Sequence, residues 1–308
     1  MTPSWWTWSL PLGRWFATDV RLHWSLMVIA VLHAVEAVLG GVPFWWIGVL
    51  LLVPFFSILL HEFGHVTAAR LCGGQADRIV MWAMGGLAMC SAPMRPAPQF
   101  FVAAAGPLVN LVIAGLIVLT FPASLSGTGA AYASHGLLGA TLAYIVAWEI
   151  ANLLFNLIPC YPMDGGRMLR AGLWPVVGYR TAQRWTIVVA WVVLVAAGVW
   201  ALLTSQAWLV LLVVVGVMAV LQEQRMIREG LDPYFQDQVV RDTPPLLVRW
   251  RASRAAAAEQ RTARIRAEED AVLDRLLAKV SAEGLPSLTP AERRQLHAIS
   301  DRRRQESP

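Results

Sequence analysis

The stretch ILLHEFGHVTAAR (Ile58–Arg70) carries two histidines and a glutamate in an otherwise apolar run. His61 and His65 are four residues apart, so on a helix they share one face and can ligate one ion together. Glu62 projects about 100° round, beside that ion rather than on it. Two neutral imidazoles plus a carboxylate that can take a proton from water are the parts of a zinc metallopeptidase. With 6 histidines in 308 residues, H-E-x-x-H arises by chance in fewer than about one such chain in a hundred. The plain alternative is a polar patch that bonds packed helices together.

A catalytic zinc usually takes three protein ligands and one water, so a third ligand must lie at the same depth. Depth depends on topology. The chain is 57% hydrophobic and 15% charged, with a mean hydropathy of +0.53, against about 25% charged residues in a soluble domain. Its apolar residues concentrate before Gln222. Six segments are long enough to span a bilayer: about 22–40, 44–71, 99–120, 137–158, 185–203 and 206–222. Arginines fill alternate connections: Arg14 and Arg21; Arg70, Arg78 and Arg95; Arg167, Arg170, Arg180 and Arg184; then the tail. The loops GGVP, FPASLSGTGAAYASHG and TSQ contain no Lys or Arg. The positive-inside rule therefore puts both termini in the cytoplasm of a multi-pass cell-membrane protein. Topology also accounts for the net charge of +5 without a nucleic-acid partner. No cleavable signal is expected in MTPSWWTWSLPLGRWF, and Cys72, Cys90 and Cys160 fit no disulfide or metal spacing.

The second span runs inward from Phe44, which places His61 17 residues along it, or about 25 Å into a core of about 30 Å. The cluster thus sits just inside the cytoplasmic boundary. His33 and Glu36 lie toward the outer end of the first span, His135 lies outside, and Glu149 is near mid-membrane. His23 and Asp164 remain. Asp164 follows Pro159 and Pro162, which end the fourth helix, and precedes Gly165-Gly166, which allows a reversal toward the bundle. Two histidines and one aspartate leave zinc with one positive charge, and loss of a proton from its water neutralises the site, as a low dielectric favours. Asp164 is therefore the expected third ligand, with His23 flanking the first span.

Arg78–Ser91 (RIVMWAMGGLAMCS) is apolar but too short to cross. Its β-branched start and Gly85-Gly86 predict a re-entrant β-hairpin or loop between helices 2 and 3, with the tight turn at the glycines. On the fourth helix, Glu149, Asn152 and Asn156 form one polar stripe facing the bundle interior. Glu149 and Asn152 are read as bonding helix to helix, and Asn110 as packing near the site. Asn156, eight residues before Asp164, is read as a substrate-binding residue. Cutting a helix requires unwinding it, and carboxamides with an exposed strand edge could hold the freed backbone.

HEFGH on the second helix, GPLVN (Gly106–Asn110) on the third and N-x-x-P-x-x-P-x-D-G (Asn156–Gly165) resemble, in combination and order, the site-2 protease family of intramembrane zinc metalloproteases. RLHWS and MGGLA extend the resemblance, which covers residues 14–170. It implies an all-α membrane protein with one Zn2+ on His61, His65 and Asp164, Glu62 as catalytic base, and Asn156 contacting substrate near the ion. The substrates so implied are single-span membrane proteins, cut within the bilayer near its cytoplasmic face. No segment suggests a PDZ domain or a paired nucleotide-sensing module. The rival readings are a membrane metallopeptidase for soluble or lipidated peptides, and a non-catalytic metal carrier. A carrier has no need of a base such as Glu62.

The expected domains are a six-span core (1–222), a charged cytoplasmic helical linker (223–270) and a small C-terminal helical hairpin (271–308). Val272, Leu273, Leu276, Leu277 and Val280 share one face, SAEGLPS breaks the helix, and Thr289–Glu292 forms a capping box with Pro290 at the first helical position. This module is similar to a short C-terminal module of some bacterial membrane proteins, rhomboid proteases among them. It is either a solubilising appendage or a dock for a cytoplasmic partner.

Overall fold

The computed structural model describes residues 8–229, 245–284 and 288–306. The chain divides into two compact units, Met1–Pro245 and Leu246–Pro308.

The first unit opens with two strands, β1 (Ser9–Trp15) and β2 (Thr18–His23), followed by α1 (Trp24–Leu39) and α2 (Phe44–Leu71). Strands β3 (Gln75–Trp82) and β4 (Gly85–Ser91) come next, then α3 (Pro96–Thr120) and α4 (Thr128–Asn156). The unit closes with α5 (Asp164–Val177), α6 (Tyr179–Thr204) and α7 (Ala207–Arg228). Five of these helices (α2, α3, α4, α6 and α7) are long and apolar enough to cross a membrane. The expected first span is shorter than predicted, because α1 has 16 residues, or about 24 Å of helix. His23 caps it, its ring nitrogen accepting from Ser25 N–H. The predicted start of the fourth span at 137 has a local cause: Gly136, at φ 61° and ψ −149°, interrupts α4.

The predicted hairpin is β3–β4, but its loop is Ala83-Met84 and not the glycines. Trp82 pairs with Gly85 and Met81 with Gly86, so both glycines belong to β4. The hairpin is also half of a larger sheet. The strands lie in the order β1-β2-β3-β4, with β2 parallel to β3 and the outer pairs antiparallel. Sequence reading missed β1 and β2. The signal was present in Asp19-Val20-Arg21-Leu22-His23, whose strict alternation is a strand pattern, and Val20 is fully buried against Ile79 and Met81. The two-residue turn Phe16-Ala17 has positive φ at both positions (48° and 60°) without glycine. Arg70, at the end of α2, offsets that strain by donating to the carbonyls of Phe16 (2.7 Å) and Ala17 (3.0 Å) and to Thr18 Oγ1 (2.9 Å). The sheet is thereby tied to the metal-site helix.

The three cysteines are free. Burial pushes the Cys160 thiol up to about 11, the expected state of an inert packing residue.

In the second unit α8 (Leu246–Glu283) runs unbroken across residue 270 and is followed by α9 (Pro290–Glu306). The expected break falls partly on residues 285–287, and the linker partly on 230–244, both outside the described residues. Leu276, Leu288 and Ile299 are buried. Leu277 is half exposed and lies off the buried face on which it was expected. The capping box forms: Glu292 accepts from Thr289 N–H at 2.8 Å and donates its own N–H to Thr289 Oγ1 at 3.3 Å. The Thr289 amide, the Lys279 ammonium and the Thr289 hydroxyl together hold the Glu292 carboxyl down to about 2, from an ordinary 4.5. A folded-state value below the ordinary one contributes stability above that value and loses it as the carboxylate protonates. Amide protection in the first turn of α9 should therefore hold above pH 4.5 and fall as the pH drops toward 2. Thr289→Ala should cause a similar loss at neutral pH. Hydrogen exchange on the intact chain measures both, and full protection down to pH 2 would show the box to be idle.

Candidate metal and catalytic centre

Three elements bring the site together. Helix α2 presents His61, Glu62 and His65 from its last three turns, all buried. Helix α3 crosses it closely at two glycines. A Cβ on Gly64 would stand 2.7 Å from the carbonyl oxygen of Ala105, and one on Gly106 would stand 2.5 Å from His61 Nε2. Helix α5 begins at Asp164, which the helix N-terminus favours as an anion.

The atoms His61 Nε2, His65 Nε2 and Asp164 Oδ2 converge, at 3.1, 3.1 and 3.2 Å from one another. Among the described residues this is the one cluster of three or more such groups able to hold a metal ion. Zinc bonds of about 2.0–2.1 Å in a tetrahedral set place neighbouring donor atoms roughly 3.3 Å apart, so the spacing fits. The protonation pattern fits as well. His65 Nδ1 lies 2.7 Å from the carbonyl of Val102, which can only accept, so the proton is on Nδ1 and the Nε2 lone pair is free. His61 Nδ1 lies 2.6 Å from Asn110 Oδ1 and has the same arrangement. Two lone pairs and a carboxylate oxygen facing one point repel one another unless a cation lies between them. Gly106 leaves that point clear, since a methyl group there would stand only 2.4 and 2.5 Å from the two ring nitrogens.

Asp164 is 6% exposed. Its second oxygen lies 3.9 Å from Arg167. The direction of α5 is set further along. Arg170 pairs with Glu223 at 3.3 Å, Gln183 Nε2 donates to the same carboxylate oxygen at 2.6 Å, and Tyr161 O–H donates to Gln183 at 3.4 Å. Burial pushes that phenol up to about 12, so it stays a donor.

Glu62 is not among the three converging groups. Its Oε2 accepts from Ala88 N–H of β4 at 2.8 Å, and its carboxyl carbon packs so close that a Cβ on Gly86 would stand 2.6 Å away. Among the described residues β4 has no strand on its other side. That edge, His61, Asn152 and Asn156 line one cavity of about 670 Å³. Asn156 Nδ2 is engaged by Asn152 Oδ1 at 2.9 Å, while Asn152 Nδ2 is buried without a partner. The expected substrate donor Asn156 thus shares the wall with a neighbour whose donor is the unengaged one. Sequence reading assigned Asn152 to helix packing. Its place on the polar stripe was legible, but the cavity in front of it was not. His23 takes no part in the cluster.

These features have counterparts in known proteins. A profile of the Peptidase M50B-like family matches residues 27–161. Rip3 of Mycobacterium tuberculosis, described as a candidate zinc metalloprotease, is 33% identical over 193 residues, or 54% of this chain and 44% of Rip3. A zinc metalloprotease of Methanocaldococcus jannaschii is 30% identical over 174 residues, or 56% of this chain and 47% of that protein. The solved site-2 protease from the same organism superposes with a TM-score of 0.53 at 25% identity, covering 70% of this chain and 95% of that one. Over these residues the chain is similar to site-2 proteases. It spans about half the length of the curated relatives it matches. The converging groups of this site-2 protease relative come from both sides of the profile's boundary, since Asp164 lies just beyond residue 161.

Proposed function

We propose that this chain is an intramembrane zinc metalloendopeptidase. It cleaves peptide bonds within transmembrane segments of single-span membrane proteins, near the cytoplasmic face. Zinc is held by His61, His65 and Asp164. Six helices cross the cell membrane, α1 as a short sixth span that local thinning accommodates, and both termini are cytoplasmic. The C-terminal helix pair is free to dock a cytoplasmic partner, and no nucleic acid is involved.

What carries this reading is that His61, one of three converging ligands, lines one cavity with an unpaired strand edge, and that the carboxylate of Glu62 is bonded to that same strand. A metal carrier needs the ligands, but neither the strand edge nor the carboxylate. When bound, zinc supplies the Lewis acidity that polarises a carbonyl and acidifies water. The chain's own residues do the rest. An unwound substrate segment adds to the free edge of β4 through main-chain hydrogen bonds. Asn152 offers its unengaged amide to a freed carbonyl, and Asn156, which now donates to Asn152, can turn to a second one. Glu62, held beside that edge by Ala88 N–H, takes a proton from the attacking water and delivers it to the leaving amine.

The reading predicts about one zinc per purified chain, the number that a single three-ligand site implies. In liposomes the enzyme should cut a single-span reporter near its cytoplasmic end, at a position that mass spectrometry maps. Gly or Pro placed there in the reporter should speed cleavage, because unwinding that helix then costs less. If no helix is cut while divalent metal crosses the bilayer, the carrier reading replaces this one.

A further inference from the structure

We propose that Glu149 is a positioning residue for the metal centre: acting through Asn110, it locks His61 in the tautomer that leaves Nε2 free for the ion. This rests on the metal-site reading above and deepens it. Glu149 of α4, Asn110 of α3 and Ser57 of α2 are each at most 2% exposed. An ionisable group so placed inside a membrane bundle is costly to keep. Asn110 Oδ1 faces His61 Nδ1 at 2.6 Å, while its Nδ2 donates to Glu149 Oε2 and to Ser57 Oγ (3.4 Å).

A carboxamide has a donor end and an acceptor end, and half a turn exchanges them. Ser57 cannot choose between the two ends, since a hydroxyl both donates and accepts. A carboxylate accepts only, so Glu149 repels the amide oxygen and holds the nitrogen toward itself. The oxygen must then face His61, which answers with Nδ1–H and keeps the Nε2 lone pair for the ion. Without Glu149 the amide is free to turn over and donate to Nδ1. That stabilises the imidazole protonated on Nε2, where the ion has to bind. His65 needs no such device, because a backbone carbonyl faces its Nδ1. The asymmetry explains why a buried acid stands behind one histidine and not behind the other.

The test uses the full chain in detergent, with zinc affinity from competition against a chromophoric chelator and histidine tautomers from nitrogen-15 NMR of metal-free protein. Glu149→Leu should weaken zinc binding by about 10- to 100-fold, as loss of a ligand-orienting partner typically does. It should move His61 toward the Nε2–H form and leave His65 unchanged. Glu149→Gln can present either end of its own carboxamide to Asn110, so it should fall between wild type and Glu149→Leu in both readouts. The exchanged pair Asn110→Asp with Glu149→Gln keeps the charge and presents only acceptors to His61, so it should bind zinc as wild type does, whereas Asn110→Leu should not. Should Glu149→Leu fail to fold, the exchanged pair and Asn110→Leu decide. Wild-type affinity and tautomer in Glu149→Leu would overturn the proposal, as would equal loss of zinc from the exchanged pair and from Asn110→Leu. A wild-type chain that binds no zinc would sink the metal-site reading instead, and the tautomers would still judge this one.

Discussion

Glu62→Gln should lower cleavage of a transmembrane substrate by about 10²- to 10⁴-fold, the usual cost of losing a general base, while zinc stays bound. The substitution keeps the size of the side chain and an oxygen for the Ala88 N–H that Glu62 now accepts at 2.8 Å. That matters because the wall is tight: Gly86 has no room even for a methyl group beside this carboxyl. Metal content should be unaffected, since Glu62 stands outside the converging trio. An amide cannot take a proton from water at neutral pH, so the chemical step alone should fail. Substrate binding should survive, and the variant should co-purify with uncut substrate. The comparison is of single-turnover rates in liposomes at equal zinc occupancy. Equal rates for the two enzymes would remove Glu62 from the reaction and, with it, the peptidase reading.

Gly106→Ala should leave the purified protein with little zinc, a loss of at least about 10²-fold in affinity by comparison with the 10- to 100-fold cost of disturbing only an outer partner. The added methyl group would stand 2.5 Å from His61 Nε2 and equally close to His65, inside the volume that an ion with bonds of about 2.0–2.1 Å requires. The helices can relieve this only by moving apart, which also separates the ligands. Gly115→Ala on the same helix is the control, because a Cβ there meets nothing within 4 Å. Zinc per chain and helix content by circular dichroism separate eviction from unfolding. If Gly106→Ala binds one zinc at wild-type affinity, the ion does not sit between the two imidazoles, and the ligand assignment fails with it.

These two positions illustrate what was and was not legible in the residues alone. HEFGH could be read because helix geometry is local: a spacing of four residues puts two side chains on one face whatever surrounds them. Depth came from the distribution of arginines, which topology obeys before any packing forms. Depth reduced the third ligand to His23 or Asp164 and charge chose Asp164; the structure brings Asp164 to the cluster and leaves His23 as the cap of α1. The β3–β4 hairpin was visible for the same local reason, although its loop was placed two residues too far along.

Only the tertiary structure decided the partners. Periodicity shows which face of a helix is polar, but not which groups on another helix that face will meet. Glu149 and Asn110 are 39 residues apart, and Asn110 and His61 are 49 apart. The second of these contacts exists because α2 and α3 cross closely at Gly64 and Gly106. The parallel pairing of β2 with β3 likewise joins segments separated by two helices, a long-range match that no short window contains. Asn110 therefore read as packing when it bonds the His61 ring, and Gly106 as part of a motif when its missing side chain keeps clear the point on which the imidazoles converge. The chemistry of the site was written in residue types at helical spacing. The space for that chemistry was set by how closely two helix backbones approach, and that distance depends on every side chain that is absent between them.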